Sequence, residues 1–218
     1  MDISRAQEIL DYWFLKDGSP DYDKWFMKSE NYDDEIKEKF GELLKEAENG
    51  KGYGWLVSKD SFVAYIILMD QFSRHIYRGT GEAFKNDNGI MIFTEMGFEL
   101  YREQLVGYEF MFAFMPYMHT ENINYQNKGF HHFSFQMLLY DGGVMALRKP
   151  DPILKYMTKT QNQKDYEMLK QMKTHVEGHR SVISTLGRFP KRNKVLGRES
   201  TSNEIRYLDS SEVQSRPY

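Results

Sequence analysis

Ile3, Ala6, Ile9, Leu10, Trp13 and Phe14 recur at spacings of three and four, as one face of a helix requires. Gly18-Ser19-Pro20 ends that pattern. Ile36, Phe40, Leu43, Leu44 and Ala47 mark a second helix, which Asn49-Gly50 is suited to close with a left-handed residue. The stretch 60–73 is apolar nearly all round, and a helix with that pattern belongs in a core. Asn86-Asp87 is suited to cap a fourth helix carrying Ile90, Phe93, Met96 or Gly97, and Leu100. The run 110–115, Phe-Met-Phe-Ala-Phe-Met, has strand-like composition, but Pro116 and the lack of an alternating partner favour a short buried helix. Further helices fit 124–140 and 163–186, and the Gly- and Pro-containing stretch 142–164 reads as a long connection with one helical turn. No strand–helix alternation occurs. The expected fold is all-α, a stack or bundle of antiparallel helices in a single domain over 1–218. Residues 1–186 form the helical stack, 187–208 a basic loop plus a short C-terminal helix, and 209–218 a polar tail.

Composition narrows the chemistry. The chain has 218 residues, no cysteine and a formal charge of −3. Lack of cysteine excludes disulfides, thiolate zinc sites, iron–sulfur clusters and thiol nucleophiles. The small negative charge predicts no nucleic-acid partner, although five basic and no acidic residues lie within 186–198. The longest apolar run, 62–69, is far shorter than the roughly 20 residues that span a bilayer. No basic-then-apolar leader is visible at the start, so the expectation is a cytoplasmic protein without a membrane partner. Tyr 15, Phe 15 and Trp 3 supply enough large side chains for a sizeable core. P-loop, dinucleotide-binding and Gly-x-Ser-x-Gly patterns are missing, so no cofactor is expected.

The block Met69-Asp70-Gln71-Phe72-Ser73-Arg74-His75-Ile76-Tyr77-Arg78-Gly79-Thr80, followed by Ala83-Phe84 and Asp87, resembles the signature of an uncharacterised, mostly bacterial family. That family is a domain of unknown function, number nine hundred and twenty-four. Pro116 with His119-Thr120-Glu121, and Gly187-Arg188-Phe189-Pro190 through Arg192-Asn193 to Gly197-Arg198 and Ser200-Thr201, resemble its later blocks. The likeness runs from about Trp13 to Leu208. It implies a TPR-like stack of antiparallel helices and no particular activity. Ser73 and His75 stand where the family pattern has proline and asparagine, Lys191 where it has histidine, and Asn122 where it commonly has an acid.

Three constellations are candidates for chemistry. Asp70 precedes Arg74 by four residues, the favourable orientation for an ion pair on a helix. The pair either fixes a helix end or makes Asp70 a ligand or base beside Arg74 and Arg78, which would grip an anion. His179 interrupts the apolar face of 163–186, with Arg180 next to it. It is a core histidine or an acid/base group; with His175 it shares metal-like spacing, but no third ligand is visible and no metal is expected. His119 and Glu121 follow Pro116, and His119 is a candidate general base. Thr201-x-x-Glu204 forms a capping box whose helix start, with Arg188, Arg192 and Arg198, is suited to an anion. The alternative is that these arginines tie the last helix to acids of the bundle.

The resulting expectation is a cleft that binds a small anionic metabolite. Asp70, His119, Glu121 and His179 are the candidate catalytic groups. Arg74, Tyr77, Arg78, Arg180, Arg188, Arg192, Asn193 and Arg198 are the candidate binding groups, with Tyr77 and Trp25 as flat walls. Hydrolysis or proton transfer without a cofactor suits these residue types. It requires the segments around Asp70, His119, His179 and Arg188 to meet in one pocket. The alternative is a TPR-like module that holds a peptide or partner helix without catalysis.

Overall fold

The computed structural model describes residues 2–16, 19–140 and 159–210. Ten α-helices occur among them, and no strand. They are α1 (Arg5–Trp13), α2 (Tyr22–Phe26), α3 (Glu30–Glu46), α4 (Lys59–Ile66), α5 (Ser73–Ile76), α6 (Met91–Tyr101), α7 (Gly107–His119), α8 (Ile123–Tyr140), α9 (Lys159–Leu186) and α10 (Ser202–Leu208).

The two most apolar segments form the centre. From Phe62 to Ser73 every residue of α4 and its continuation is buried. In α7 all residues from Phe110 to Met118 are buried as well. Trp13 of α1 packs edge-on to Phe72 and Phe112 at 5.4 Å each, and Trp25 of α2 packs on Phe112 at 4.9 Å. These aromatic contacts join the N-terminal helices to both central ones. Pairing of α7 with α8 is antiparallel, since Phe114 meets Phe133 while Gln126 near the start of α8 bonds the carbonyls of Met118 and Thr120. The α8–α9 pair is antiparallel too: Tyr140 bonds Asp165 at one end and Arg180 bonds Asn127 at the other.

Between α4 and α5 the helix widens to five-residue winding over Ile67–Phe72 without breaking. Such a wide turn shifts the side chains beyond it relative to an unbroken α-helix. Asp70 and Gln71 lie in it, one turn before Arg74.

The structure corrects several expectations. Helix α7 does not stop at Pro116 but runs on to His119. Proline removes one backbone donor, and burial on every side of α7 holds the helix through it. Asn86 and Asp87 do not cap α6, whose N-cap is Ile90 without a side-chain bond. Their side chains are used elsewhere: Asn86 bonds Glu48, and Asp87 pairs with two arginines. Helix α3 begins at Glu30, a turn and a half before its first apolar anchor Ile36. Helix α9 begins at Lys159, so the end of the expected 142–164 connection is helical, whereas 141–158 lie outside the described residues. Of the expected tail, 211–218 also lie outside them. Trp25 is no wall of a site: it is buried in the core and its indole N–H donates to the Trp13 carbonyl at 2.9 Å.

Candidate functional site

The C-terminal ends of the two central helical runs lie side by side. Asp70 is 1 % exposed, and its carboxylate accepts from His119 Nδ1 at 2.8 and 2.9 Å, from Arg74 Nη2 at 3.3 Å and from Gln71 Nε2. Burial alone would push the Asp70 carboxyl up, but the adjacent His119 and Arg74 outweigh it and hold the group well below the usual carboxylate range. Asp70 is therefore an internal anion that fixes His119. With Nδ1 committed to Asp70, Nε2 is the ring nitrogen left for a guest.

Asp87 ties the loop after α5 to the C-terminal segment. Its two carboxylate oxygens accept from Arg74 Nη2 and Arg192 Nη1, each at 2.8 Å. Arg192 Nη2 donates to the carbonyl of His119 at 2.9 Å, satisfying a terminal carbonyl of α7. The guanidinium of Arg192 lies 4.4 Å from the Phe84 ring and 4.5 Å from the Phe189 ring, a cation–π sandwich. Burial lowers the Arg192 pKa to about 10; Asp87 opposes this and the Arg74 charge adds to it. Burial likewise opposes the charge of Arg74, but Asp87 and Asp70 more than offset it.

These groups wall a cavity of about 470 Å³. Arg74, Arg192, His119 and His179 face it, with Lys28, Arg78 and Lys191 completing its cations. Among the described residues the lining includes no carboxylate. Asp33, Asp70 and Asp87 stand behind the wall, paired with Arg78, Arg74 and Arg192. Arg74 Nε–H is buried without any hydrogen-bond partner, which is costly for a charged donor. His179 Nδ1 donates to the carbonyl of His175 at 2.8 Å, and its ring lies 6.3 Å from that of His119 and 5.5 Å from that of Phe189. Burial, reinforced by His119, lowers the His179 pKa to about 3, so this imidazole is neutral at pH 7.

Of the four residues expected to meet, His119 and His179 line the cavity and Asp70 stands behind His119, whereas Arg188 is outside the lining and Arg192 of the same segment is there instead. Other candidates are committed to structural partners outside the lining. Arg198 holds Glu121 with a two-pronged grip at 2.7 and 3.0 Å, and the Phe189 backbone N–H donates to the same carboxylate at 2.7 Å. Burial would raise the Glu121 pKa, yet these donors lower it. Arg188 grips Glu204 at 2.6 and 2.9 Å, and Asn193 bonds Ser200 and Arg198. Glu204 also accepts from the Thr201 N–H, so the start of α10 is occupied by the protein's own acid. Arg180 bonds Asn127 and covers Phe130, away from the cavity. Tyr77 is no wall either: its hydroxyl donates to Glu48 and its ring carries Lys85. Arg78 does line the cavity, braced two-pronged on Asp33 at 2.5 and 2.8 Å. Sequence reasoning missed Asp87, Phe84, Phe189 and Lys28 as site residues; the run Ala83-Phe84 with Asp87 was the available signal for two of them.

Among the described residues no group of three or more His, Asp or Glu is placed to hold a metal ion, and no helix is long and apolar enough to cross a membrane. Fold and site together define an all-helical domain with a cation-walled cavity backed by a buried Asp–His pair. A model of the bacterial proteins of unknown function called DUF924 matches residues 9–212, and the chain belongs to that family. A solved structure of a protein of unknown function from Agrobacterium tumefaciens is similar at 26% identity and a TM-score of 0.68, covering 94% of this chain and 97% of that one. No curated protein matches the chain.

Proposed function

We propose that the cavity binds a small organic anion and that the Asp70–His119 pair performs acid–base chemistry on it. The observation that carries this reading is the lining: five cations and no acid among the described residues. Arg74 gives three of its five N–H donors to Ala83, Asp70 and Asp87, and Arg192 gives two of its five to Asp87 and the His119 carbonyl. Both forks retain donors for a guest.

Hydrolysis without a cofactor is the reaction class that these groups serve best. In a neutral His119, Nδ1–H donation to Asp70 leaves a lone pair on Nε2. Nε2 takes a proton from water as the water oxygen bonds to the acyl or phosphoryl centre. The same proton then passes to the departing oxygen, so the histidine ends as it began. Asp70 stabilises the intermediate imidazolium, and Arg74 with Arg192 offset the charge that develops on the substrate. Neutral His179 supplies a second polar group without adding repulsion to His119.

Thermal-shift and calorimetric titration with inorganic phosphate and with simple carboxylates tests the binding half. Stabilisation that disappears in Arg192→Ala is expected. If no anion stabilises the protein at millimolar concentration, the reading fails.

A further inference from the structure

Resting on that anion site, we infer that the ligand is amphipathic: an organic anion carrying an apolar chain or ring, and not a polyhydroxylated or bare inorganic one. Beyond its cations and histidines, the cavity wall is mostly carbon. Phe84, Val182, Phe189, Pro190 and Val195 line it, and Thr80 and Tyr207 are the only hydroxyl side chains among the described lining residues. Among the described lining residues there is no asparagine, glutamine, aspartate or glutamate to pair with the hydroxyls of a sugar. Such a guest would leave its donors unmatched on burial. A bare phosphate would occupy a small part of about 470 Å³, roughly fifteen water volumes, and leave the apolar wall wet.

The arrangement of charge supports the same class. The Arg192 guanidinium sits between the Phe84 and Phe189 rings, so a fixed cation emerges directly from an apolar surface. A headgroup on Arg192 therefore places its first carbons against those side chains. The cavity also adjoins a second hollow of about 480 Å³, since Val182 and Tyr207 line both. Ser181, Thr185, Asn203 and Arg206 stand in that second hollow. It offers a continuation for a longer tail, and a polar end for one that carries a terminal group.

Calorimetric titration of the full-length protein with acetate, butyrate, hexanoate and octanoate, alongside inorganic phosphate and glucose 6-phosphate, tests the inference. Affinity is expected to rise about fourfold per methylene buried, with glucose 6-phosphate no tighter than inorganic phosphate. Arg192→Lys should weaken every member of the series while keeping the slope. Val182→Ser should cut the gain to below twofold per methylene. A flat series in which all anions bind would overturn the amphipathic ligand and leave the anion site standing. Tighter binding of glucose 6-phosphate than of octanoate would overturn it as well. No binding by any anion would instead remove the site itself.

Discussion

At the scale of single residues, Asp70 decides whether the cavity is a reactive place or merely a positive one. Its carboxylate is fully enclosed and balances both Arg74 and His119. Asp70→Asn keeps the shape and removes the charge, so Arg74 loses one of its two anions and His119 loses its carboxylate partner. Breaking a buried pair in this way costs about 3 kcal/mol, measurable by urea unfolding at pH 7. Any turnover should fall further than binding does, because Arg192 and the outer lysines still attract the ligand. Retention of full turnover in Asp70→Asn would exclude the pair from the chemistry.

The neutral histidines set the response to acid. The pKa of His179 falls from an ordinary value near 6.5 to about 3, and that of His132 to about 4, both through burial first. The unfolded chain binds these protons near pH 6.5 while the folded one refuses them. Stability is thus complete above pH 6.5 and declines as the pH drops toward 4, by at most about 1.4 kcal/mol per pH unit for each histidine. Asp70 acts with the same sign at lower pH, because its depressed carboxyl is protonated more readily when unfolded. Unfolding free energies of wild type and His179→Gln across pH 4–7.5 should give a shallower slope for the variant. Equal slopes would mean that His179 is protonated in the folded protein.

At the scale of elements, the placement of His119 depends on how closely α8 approaches α7. A Cβ added to Gly129 would lie 2.5 Å from Tyr117 Cβ, so glycine here permits the crossing. Gly129→Ala should cost about 1–3 kcal/mol by overpacking and displace the end of α7 two residues beyond Tyr117. A melting temperature within a degree of wild type would show that α8 adjusts freely. This level also shows what the sequence can and cannot announce. The central helix at 60–73 was readable because apolar residues on every face have one physical outcome, burial. The full length of α7 was not, because Pro116 is a stop signal whose cost is local, whereas the packing that overrides it comes from helices far away in sequence. Arg188 and Arg198 read as ligand arms. The alternative, that they tie down acids, describes both: Arg188 holds Glu204 of its own segment, and Arg198 holds Glu121, 77 residues earlier. Asp87, in turn, looked like a helix cap because its two guanidinium partners are distant in sequence, one 13 residues before it and the other 105 residues after it.

At the scale of the whole molecule, the C-terminal segment is the far wall of the cavity, fastened to the bundle at a few charged points. Glu121 is the chief fastener, accepting from Arg198 and from the backbone of Phe189. Glu121→Ala should release this wall without touching the aromatic centre. Hydrogen exchange of amides in 187–198 is expected to quicken about tenfold or more, the equivalent of losing roughly 1.4 kcal/mol of local stability, while those in α4 and α7 change little. Uniform acceleration across the molecule would instead make Glu121 part of the global fold.

The distribution of the pocket along the chain also bears on its synthesis. Arg74 and Asp87 emerge from the ribosome well before Arg192, and the carbonyl of His119 must wait some seventy residues for the guanidinium that covers it. The cavity wall contributed by Arg192 therefore joins Arg74 and Asp87 only after more than a hundred further residues have been made. Stabilisation by the proposed anion would fall on the junction between the C-terminal segment and the earlier helices.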